Sequence, residues 1–272
     1  MGLGKLILDL IYPEPDRCQI CDISLSFTEV PGLCYDCLSK INYLDYTSKD
    51  SFCSICGRNI ENVTESLGDN FQDMNLFKNS RQYKTGICQQ CVNNRPDYEF
   101  CRSLAMYDGS LREMLLTFKY MGEQELAKPL GYLLSIYYNT YFNNKKIDCL
   151  LPIPLHENRK RVRGFNQAQL LAEILGEKIG LPVISNLLVR GQDTPPLYDL
   201  DHKQRAGIMN DVFSINQGCN SKLADDDGFN TVLLIDDIIT TGTTVNEASK
   251  VLKNESIFSK VYVYTLATAT LE

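Results

Sequence analysis

The pattern of hydrophobic and polar positions changes near residue 100. Beyond it, apolar residues recur at helical spacing over 126–141 and 168–179, which predicts two amphipathic helices. Short apolar runs predict strands at 148–151, 183–189, 212–215 and 260–265. Strands that alternate with helices predict an α/β fold, in which a mainly parallel sheet carries helices on both faces. Ligands of such folds bind at the carboxyl ends of the strands.

The most informative local pattern lies at residues 232–244. Four consecutive apolar residues, 232–235, predict a parallel strand buried on both faces, because such a strand needs no alternation. Asp236 and Asp237 follow near its end and precede a turn of threonines around Gly242. This turn is expected to begin a helix, since small and apolar residues then recur at helical spacing, at Val245, Ala248, Ser249 and Leu252.

A strand, a glycine turn and a helix N-terminus form an anion site, because unpaired N–H groups and the positive end of the helix dipole face the ligand. Gly242 can adopt a positive φ and let the backbone approach a phosphate. Further hydrogen bonds can come from the hydroxyls of Thr240, Thr241, Thr243 and Thr244. Asp236 and Asp237 suit the vicinal hydroxyls of a sugar, either directly or around Mg²⁺. The segment predicts a sugar-phosphate site; the alternative is an ordinary strand–turn–helix with incidental threonines.

A dense group of basic residues follows the strand predicted at 148–151 and is expected to lie in a loop. It consists of Arg159, Lys160, Arg161 and Arg163. Guanidinium groups bind phosphate oxygens in a forked geometry, so Arg161 and Arg163 are candidates for holding a pyrophosphate. A nucleic-acid backbone is the other anionic ligand for this loop, and a solvated loop without a ligand is the remaining alternative. Residues 190–200 have the length and polarity of a mobile lid or of an ordinary surface loop.

Eight of the eleven cysteines form four Cys-x-x-Cys pairs within the first 100 residues. Two such knuckles complete a Cys₄ zinc site, so two zinc ions are expected, with redox motifs and disulfides as the alternatives. Pairing in sequence order gives two zinc ribbons, whereas the spacing also allows a cross-braced arrangement. A closed Cys₄ site leaves no coordination position for catalysis. The candidate ligands are Cys18, Cys21, Cys34, Cys37, Cys53, Cys56, Cys88 and Cys91.

The cysteine-rich region has few long apolar segments, so metal would supply stability that its small core lacks. We therefore divide the chain into a zinc-ribbon module at 1–100 and an α/β domain at 101–272. No apolar run approaches the ~20 residues that span a bilayer, and residues 1–12 lack a signal-peptide cleavage site. A cytoplasmic location without a membrane span is expected. The net charge of −7 argues against a protein surface that binds nucleic acid nonspecifically, but it does not argue against a local basic groove.

Residues 232–244 resemble the phosphoribosyl-pyrophosphate (PRPP) motif of type I phosphoribosyltransferases, in which apolar residues and an acidic pair precede a Thr-Thr-Gly-Thr loop. The resemblance implies that residues 240–244 hold the 5′-phosphate of PRPP. It also implies that Asp236 and Asp237 hold the ribose hydroxyls, with Mg²⁺ accompanying PRPP. The expected fold is the type I phosphoribosyltransferase-like sheet.

Over nearly its whole length the chain resembles the ComF family of late competence proteins. The resemblance rests on the four cysteine pairs, Tyr-Asp-Gly at 107–109, Phe-Lys-Tyr at 118–120, Pro-Ile-Pro at 152–154, Arg-x-Arg-Gly-Phe-Asn-Gln at 161–167 and Thr-Pro-Pro at 194–196. It implies a role in natural transformation, alongside imported single-stranded DNA and a ComFA-type helicase. Leu197 departs from the family pattern, which has glutamine there, so that glutamine's role in closing over a substrate is not carried over.

Two functional hypotheses follow. The first is a PRPP-binding cytoplasmic factor in DNA uptake, which handles incoming single-stranded DNA with a helicase-like partner. The second is an active phosphoribosyltransferase that transfers phosphoribosyl from PRPP to an unidentified base. In the second hypothesis Asp236 and Asp237 are the catalytic candidates, because they would hold the ribose and the metal. A base-binding hood would then have to come from the zinc module or from residues 102–147.

Overall fold

A parallel sheet forms the centre of the computed structural model, which describes residues 16–25, 30–47, 51–60, 86–191, 212–219 and 229–269. Within these residues the sheet has four strands in the order β1-β6-β5-β2, and every neighbouring pair is parallel. The strands are β1 (Cys101–Met106), β2 (Cys149–Pro152), β5 (Thr231–Ile239) and β6 (Lys260–Thr268). The predicted mainly parallel sheet is confirmed.

Helices cover both faces of this sheet. The α-helices bounded within the described residues are α1 (Tyr35–Ser39), α2 (Gln89–Asn93), α3 (Gly109–Tyr120), α4 (Ala127–Phe142), α5 (Glu157–Arg163), α6 (Gln167–Ile179) and α7 (Thr243–Asn254). Of these, α5 buries none of its residues. Leu233 and Ile235 of β5 pack into a core with α3, α4 and α6, whereas Val232 and Leu234 pack into a second core with α7. This explains the uninterrupted apolar run of β5, since each face meets its own layer of helices.

The two predicted helices correspond to α4 and α6, and the latter ends at Gly180, whose φ is +74°. The strands predicted at 148–151 and 260–265 correspond to β2 and β6. The strand predicted at 212–215 is present as β4 (Phe213–Ile215), whereas the candidate at 183–189 forms only a parallel bridge from Val183 to Leu150 of β2 and, at its end, β3 (Leu188–Arg190). β3 and β4 pair antiparallel in a separate ribbon and do not join the parallel sheet.

The hydrophobic pattern does not predict strand β1, because Arg102 and Ser103 interrupt its apolar residues. The hydroxyls of Ser103 and Thr265 hydrogen-bond each other at 2.7 Å inside the sheet. The guanidinium of Arg102 lies over the rings of Phe100 and Tyr46, at 4.6 and 4.8 Å from their centroids. Each polar group thus has a partner that only the folded chain provides.

The cysteine-rich region packs along the outer edge of β1. Leu44 donates its N–H to the carbonyl of Leu104 at 3.0 Å, and Met106 donates to the carbonyl of Asn42 at 2.9 Å. Further along, Cys101 donates to the carbonyl of Ile55 at 2.7 Å. These bonds satisfy backbone groups that an uncovered edge strand would expose.

Several sequence predictions concern residues outside the described ranges. These are the segment at 1–12 and residues 192–200 of the candidate lid at 190–200, with its Thr-Pro-Pro motif and Leu197. Among the helices that the structure describes, none is both long and apolar enough to cross a lipid bilayer.

Candidate functional site

The predicted anion site lies in the loop that joins β5 to α7, where a glycine turn leads into the helix. Gly242 immediately precedes α7 with φ +81°, and Asn246 donates to its carbonyl at 3.0 Å in the first helical turn. Thr240 is exposed and Thr241 is buried, and the hydroxyls of Thr241 and Thr243 hydrogen-bond at 2.8 Å. The N–H of Thr243, the first residue of α7, donates to Oγ1 of Thr241 at 3.4 Å. The helix N-terminus therefore lies beside a cluster of hydroxyls, an arrangement that favours a bound phosphate.

The two aspartates at the end of β5 have different surroundings because successive side chains of a strand point to opposite faces. Asp237 shares the face of α3, where its Oδ2 lies 2.8 Å from Nζ of Lys119. Both side chains of this ion pair are largely buried, at 10% and 16% exposure. Asp236 is half-buried on the α7 face, and its Oδ1 accepts the N–H of Asp237 at 2.9 Å. The sequence predicts equivalent roles for Asp236 and Asp237, whereas the fold places their side chains on opposite faces of the sheet with different partners.

Burial is the main cause that raises the pKa of Asp236 from its ordinary value of 3.8 to about 7. The negative charge of Asp237 raises that pKa further, whereas Lys119 and, more weakly, Arg190 oppose the shift. A carboxyl with such a pKa holds a proton over part of the neutral range. A bound cation or a hydroxyl donor would favour its ionised form.

Lys119 is a site residue that the physical reading of the sequence missed. It belongs to the Phe-Lys-Tyr segment at 118–120, one of the motifs on which the resemblance to the ComF family rests. Phe118 packs against Phe165 with ring centroids 5.4 Å apart, and Arg163 lies over the ring of Tyr120 at 5.4 Å. The end of α3 therefore joins the Arg-x-Arg-Gly-Phe-Asn-Gln segment to the acidic pair.

The basic segment that was predicted as a loop forms α5 instead. His156 caps its start by accepting the N–H of Asn158 at 3.2 Å, and Gly164 ends it with φ +83°. Arg161 is exposed to solvent, whereas Arg163 is half-buried and donates to Oε1 of Gln167 at 3.2 Å. Arg163 is thus held beside the carboxyl edge of the sheet. Arg161 points into solvent and is available to an anion approaching from outside.

The four cysteine pairs group in sequence order within the described residues. The first cysteine cluster contains Cys18, Cys21, Cys34 and Cys37, and the second contains Cys53, Cys56, Cys88 and Cys91. The first two cysteine pairs therefore form one cluster and the last two form the other, as in the sequential arrangement and not in the cross-braced one.

The donor geometry of both clusters fits a tetrahedral ion. In each cluster all four sulfurs lie within 4.8 Å of one another. The Sγ atoms of Cys21 and Cys34 are 3.6 Å apart, as are those of Cys56 and Cys88. A zinc–sulfur bond of 2.3 Å implies a tetrahedral edge of about 3.8 Å. Both clusters could therefore hold zinc, and all four cysteines of the second cluster are buried.

Two competence proteins are similar to this chain over nearly its whole length. Competence protein F of Haemophilus influenzae is 25% identical over 256 residues, which cover 93% of this chain and 97% of that protein. Competence protein ComFC of Bacillus subtilis is 26% identical over 279 residues, covering 97% and 96%. These relatives confirm the ComF family resemblance.

A further relative is the DNA utilization protein YhgH of Escherichia coli, 23% identical over 226 residues, which cover 82% of this chain and 91% of that protein. No protein-family model matches the chain. Among solved structures, adenine phosphoribosyltransferase from Leishmania tarentolae aligns with a TM-score of 0.33 and 15% identity, covering 56% of this chain and 74% of that one.

Proposed function

We propose that this ComF-family protein acts in DNA uptake and binds a phosphorylated ribose at the loop between β5 and α7. The names of its relatives, competence proteins and DNA utilization proteins, support the biological part. One observation carries the chemical part: Gly242, with φ +81°, immediately precedes α7 in the loop that follows the acidic pair of β5. The phosphate and the sugar hydroxyls of one ligand thereby find donors and acceptors in adjacent segments.

The ligand that best fits these groups is PRPP. Residues 240–244 would hold its 5′-phosphate, and Asp236 and Asp237 would accept hydrogen bonds from the ribose hydroxyls. Arg163, and Arg161 from the solvent side, would neutralise the pyrophosphate. Mg²⁺ bound with PRPP would neutralise its charge beside the carboxylates.

The proposal assigns residues 1–100 to a zinc-binding module with one ion in each cysteine cluster, and residues 101–272 to the ribose-phosphate domain. We expect about two zinc ions per chain by elemental analysis. The cysteine clusters suit a reducing, cytoplasmic location.

Calorimetric titration with PRPP and Mg²⁺ tests the binding proposal. The wild-type protein should bind, and the double variant Asp236→Asn with Asp237→Asn should lose detectable binding, because two acceptors of the sugar hydroxyls become amides. Circular dichroism and zinc content of the variant serve as folding controls. A wild-type protein that binds neither PRPP nor ribose 5-phosphate would refute the proposal.

Transfer of phosphoribosyl to a base is a second candidate function. It is favoured by Asp236, whose raised pKa of about 7 is that of a group able to exchange protons near neutral pH. Incubation of PRPP, radiolabelled in the ribose, with a panel of bases should yield a labelled nucleotide from wild type but not from Asp236→Asn. Hydrolysis alone, or no product with any base, would leave binding as the function of the site.

Single-stranded DNA is the proposed macromolecular partner, together with a ComFA-type helicase. Lys160 and Arg161 are exposed on α5, and Tyr120, which is 64% exposed, lies against Arg163 nearby. Basic groups beside an exposed ring can contact both the backbone and the bases of a single strand. Fluorescence anisotropy with a labelled oligonucleotide should show weaker binding for Lys160→Glu with Arg161→Glu; unchanged binding would place the DNA elsewhere.

A further inference from the structure

Arg58 connects the second cysteine cluster to the candidate phosphate site, although it is remote from that site in sequence. Its Nη2 donates to the carbonyl of Thr241 at 2.7 Å, across a separation of 183 residues. Its Nη1 donates to Oε1 of Gln90, which lies between the two cysteines of the last pair. The guanidinium therefore hydrogen-bonds both Thr241 and Gln90, and Arg58 is half-buried between the second cysteine cluster and the loop.

The second cysteine cluster determines where Arg58 lies. Cys53 donates its N–H to the carbonyl of Arg58 at 2.8 Å, which closes the knuckle. Gly57 reaches this conformation with φ +73°, and a Cβ there would lie 2.8 Å from the carbonyl oxygen of Cys101. Glycine is thus needed between Cys56 and Arg58, both for its φ and for the close approach of β1.

The bond to the carbonyl of Thr241 also orients the N–H of Gly242, which belongs to the same peptide group. In a trans peptide the C=O and the N–H point in opposite directions. Because the carbonyl of Thr241 points to Arg58, the N–H of Gly242 points away from the cysteine cluster. That N–H stands at the entry to α7, where an anion would accept it.

Asp97 and Tyr98, which follow the second cysteine cluster in sequence, lie against the same loop and the first turn of α7. The N–H of Asp97 bonds to Oδ1 of Asn246, in the first turn of α7, at 2.8 Å. Tyr98 is buried, and its hydroxyl lies 3.5 Å from the position that a Cβ of Gly242 would occupy. Cys53, Cys56 and Val245 belong to one hydrophobic core.

We propose that the second cysteine cluster is a structural part of the phosphate site, and that Arg58 is a positioning residue which orients the peptide between Thr241 and Gly242. The role of the loop rests on the proposed ribose-phosphate binding. The orientation of the peptide does not, and it can be tested without a ligand.

The ligand-free test is amide hydrogen exchange of residues 240–246. Arg58→Ala should speed exchange in this segment roughly tenfold, because the carbonyl of Thr241 loses a charge-assisted bond. Gln90→Ala should act in the same direction with a smaller effect. The matched control is Arg17→Ala, which removes an exposed arginine paired with Asp22 beside the first cysteine cluster. Unchanged exchange in both Arg58→Ala and Gln90→Ala, with zinc content retained, would overturn the proposal.

The ligand-dependent test is titration with PRPP and Mg²⁺. Arg58→Ala should bind about tenfold more weakly, and Arg17→Ala as wild type. Arg58→Lys should recover part of the affinity, since an ammonium can donate to Thr241 but cannot span both acceptors. Wild-type affinity in Arg58→Ala would contradict the proposal.

Coupling between two binding sites is reciprocal in free energy, so PRPP should raise the affinity of the second cluster for its metal. At equilibrium with a chromophoric chelator, PRPP should increase the fraction of one zinc per chain that stays on the wild-type protein, and this increase should disappear in Arg58→Ala. An equal increase in both proteins would count against Arg58. If wild type binds no PRPP, the proposed function fails, whereas hydrogen exchange still decides the role of Arg58.

Discussion

At the scale of single residues, Asp236 shows how the fold changes the properties of a group. Its pKa in the folded protein, about 7, lies above its ordinary value of 3.8, mainly because the carboxyl is buried. Between these two values the unfolded chain has released the proton and the folded chain has kept it. This residue therefore lowers the stability of the protein progressively as the pH rises from about 4 to about 7.

Replacing Asp236 by asparagine removes this penalty. We expect Asp236→Asn to raise the free energy of unfolding by roughly 2 kcal/mol at pH 8, and the gain to fade towards pH 4. Urea denaturation at several pH values measures it. Asp237→Asn should have the opposite effect at pH 8, a loss of about 2 kcal/mol, because it leaves Lys119 buried without its carboxylate. A gain in stability from both variants would contradict the distinct surroundings of the two aspartates.

Gly242 allows the cost of a backbone conformation to be separated from its role in binding. Its φ of +81° penalises any residue with a Cβ, while the nearest atoms to such a Cβ lie at ordinary contact distances. Gly242→Ala should destabilise the protein by about 1–2 kcal/mol in thermal unfolding and should also weaken PRPP binding.

The matched control for that variant is Gly180→Ala, at the end of α6. Gly180 has φ +74°, and no atom lies within 4 Å of the position of its Cβ. The loss of stability should therefore be similar, about 1–2 kcal/mol, with unchanged affinity for PRPP. Equal loss of affinity in both variants would mean that Gly242 acts only through global stability.

At the scale of elements, Asn166 ties the start of α6 to the end of β2. Its Oδ1 accepts the N–H of Ala168 at 3.1 Å as a helix cap, and its Nδ2 donates to the carbonyl of Ile153 at 3.0 Å. These two bonds hold the helix against the carboxyl edge of the sheet, where Phe165 meets α3. Asparagine is suited to this position because it both accepts and donates.

Two substitutions separate the bonds. Asn166→Ala removes both and should cost about 2 kcal/mol, measured by urea denaturation. Asn166→Asp keeps the capping acceptor but loses the donor to Ile153, so its cost should be about 1 kcal/mol. An aspartate variant as unstable as the alanine variant would show that the bond to Ile153, and not the cap, holds the element.

At the scale of the whole molecule, the two cysteine clusters differ in their relation to the sheet. Cys53 is fully buried in the core that contains Val232 and Leu234 of β5. In the first cluster Cys18 and Cys37 are buried in the other core, with Leu233 of β5, whereas Cys21 is exposed. All four cysteines of the second cluster are buried, so loss of its metal should disturb the packing around the sheet more than loss from the first cluster.

We expect Cys53→Ser and Cys21→Ser each to lose about one zinc per chain. Cys53→Ser should lower the unfolding temperature by several degrees more, and it should also weaken PRPP binding. Elemental analysis and differential scanning calorimetry measure the two effects. A larger decrease in unfolding temperature for Cys21→Ser than for Cys53→Ser would refute this difference between the two clusters.

Helical periodicity was enough to predict α4 and α6, and continuous apolar runs were enough to predict β5 and β6, because β5 and β6 are buried on both faces. Neither pattern was sufficient for β1 and α5. Ser103 in β1 is buried with a hydroxyl partner on β6, and α5 is a short basic helix whose polar sequence carries no apolar stripe. Such elements form where neighbouring segments satisfy polar groups, which is information held by distant residues.

By itself, the sequence determined the chemistry of this protein: a buried strand, an acidic pair, a glycine at a helix start and eight cysteines at zinc-ligand spacing. Those features are local, so they depend on the conformation of a few neighbouring residues. Only the tertiary structure decided that Lys119 pairs with Asp237 and that the cysteines pair in sequence order. It also decided that Arg58 reaches Thr241. Each of these contacts joins side chains far apart in sequence, and packing of the sheet brings them together.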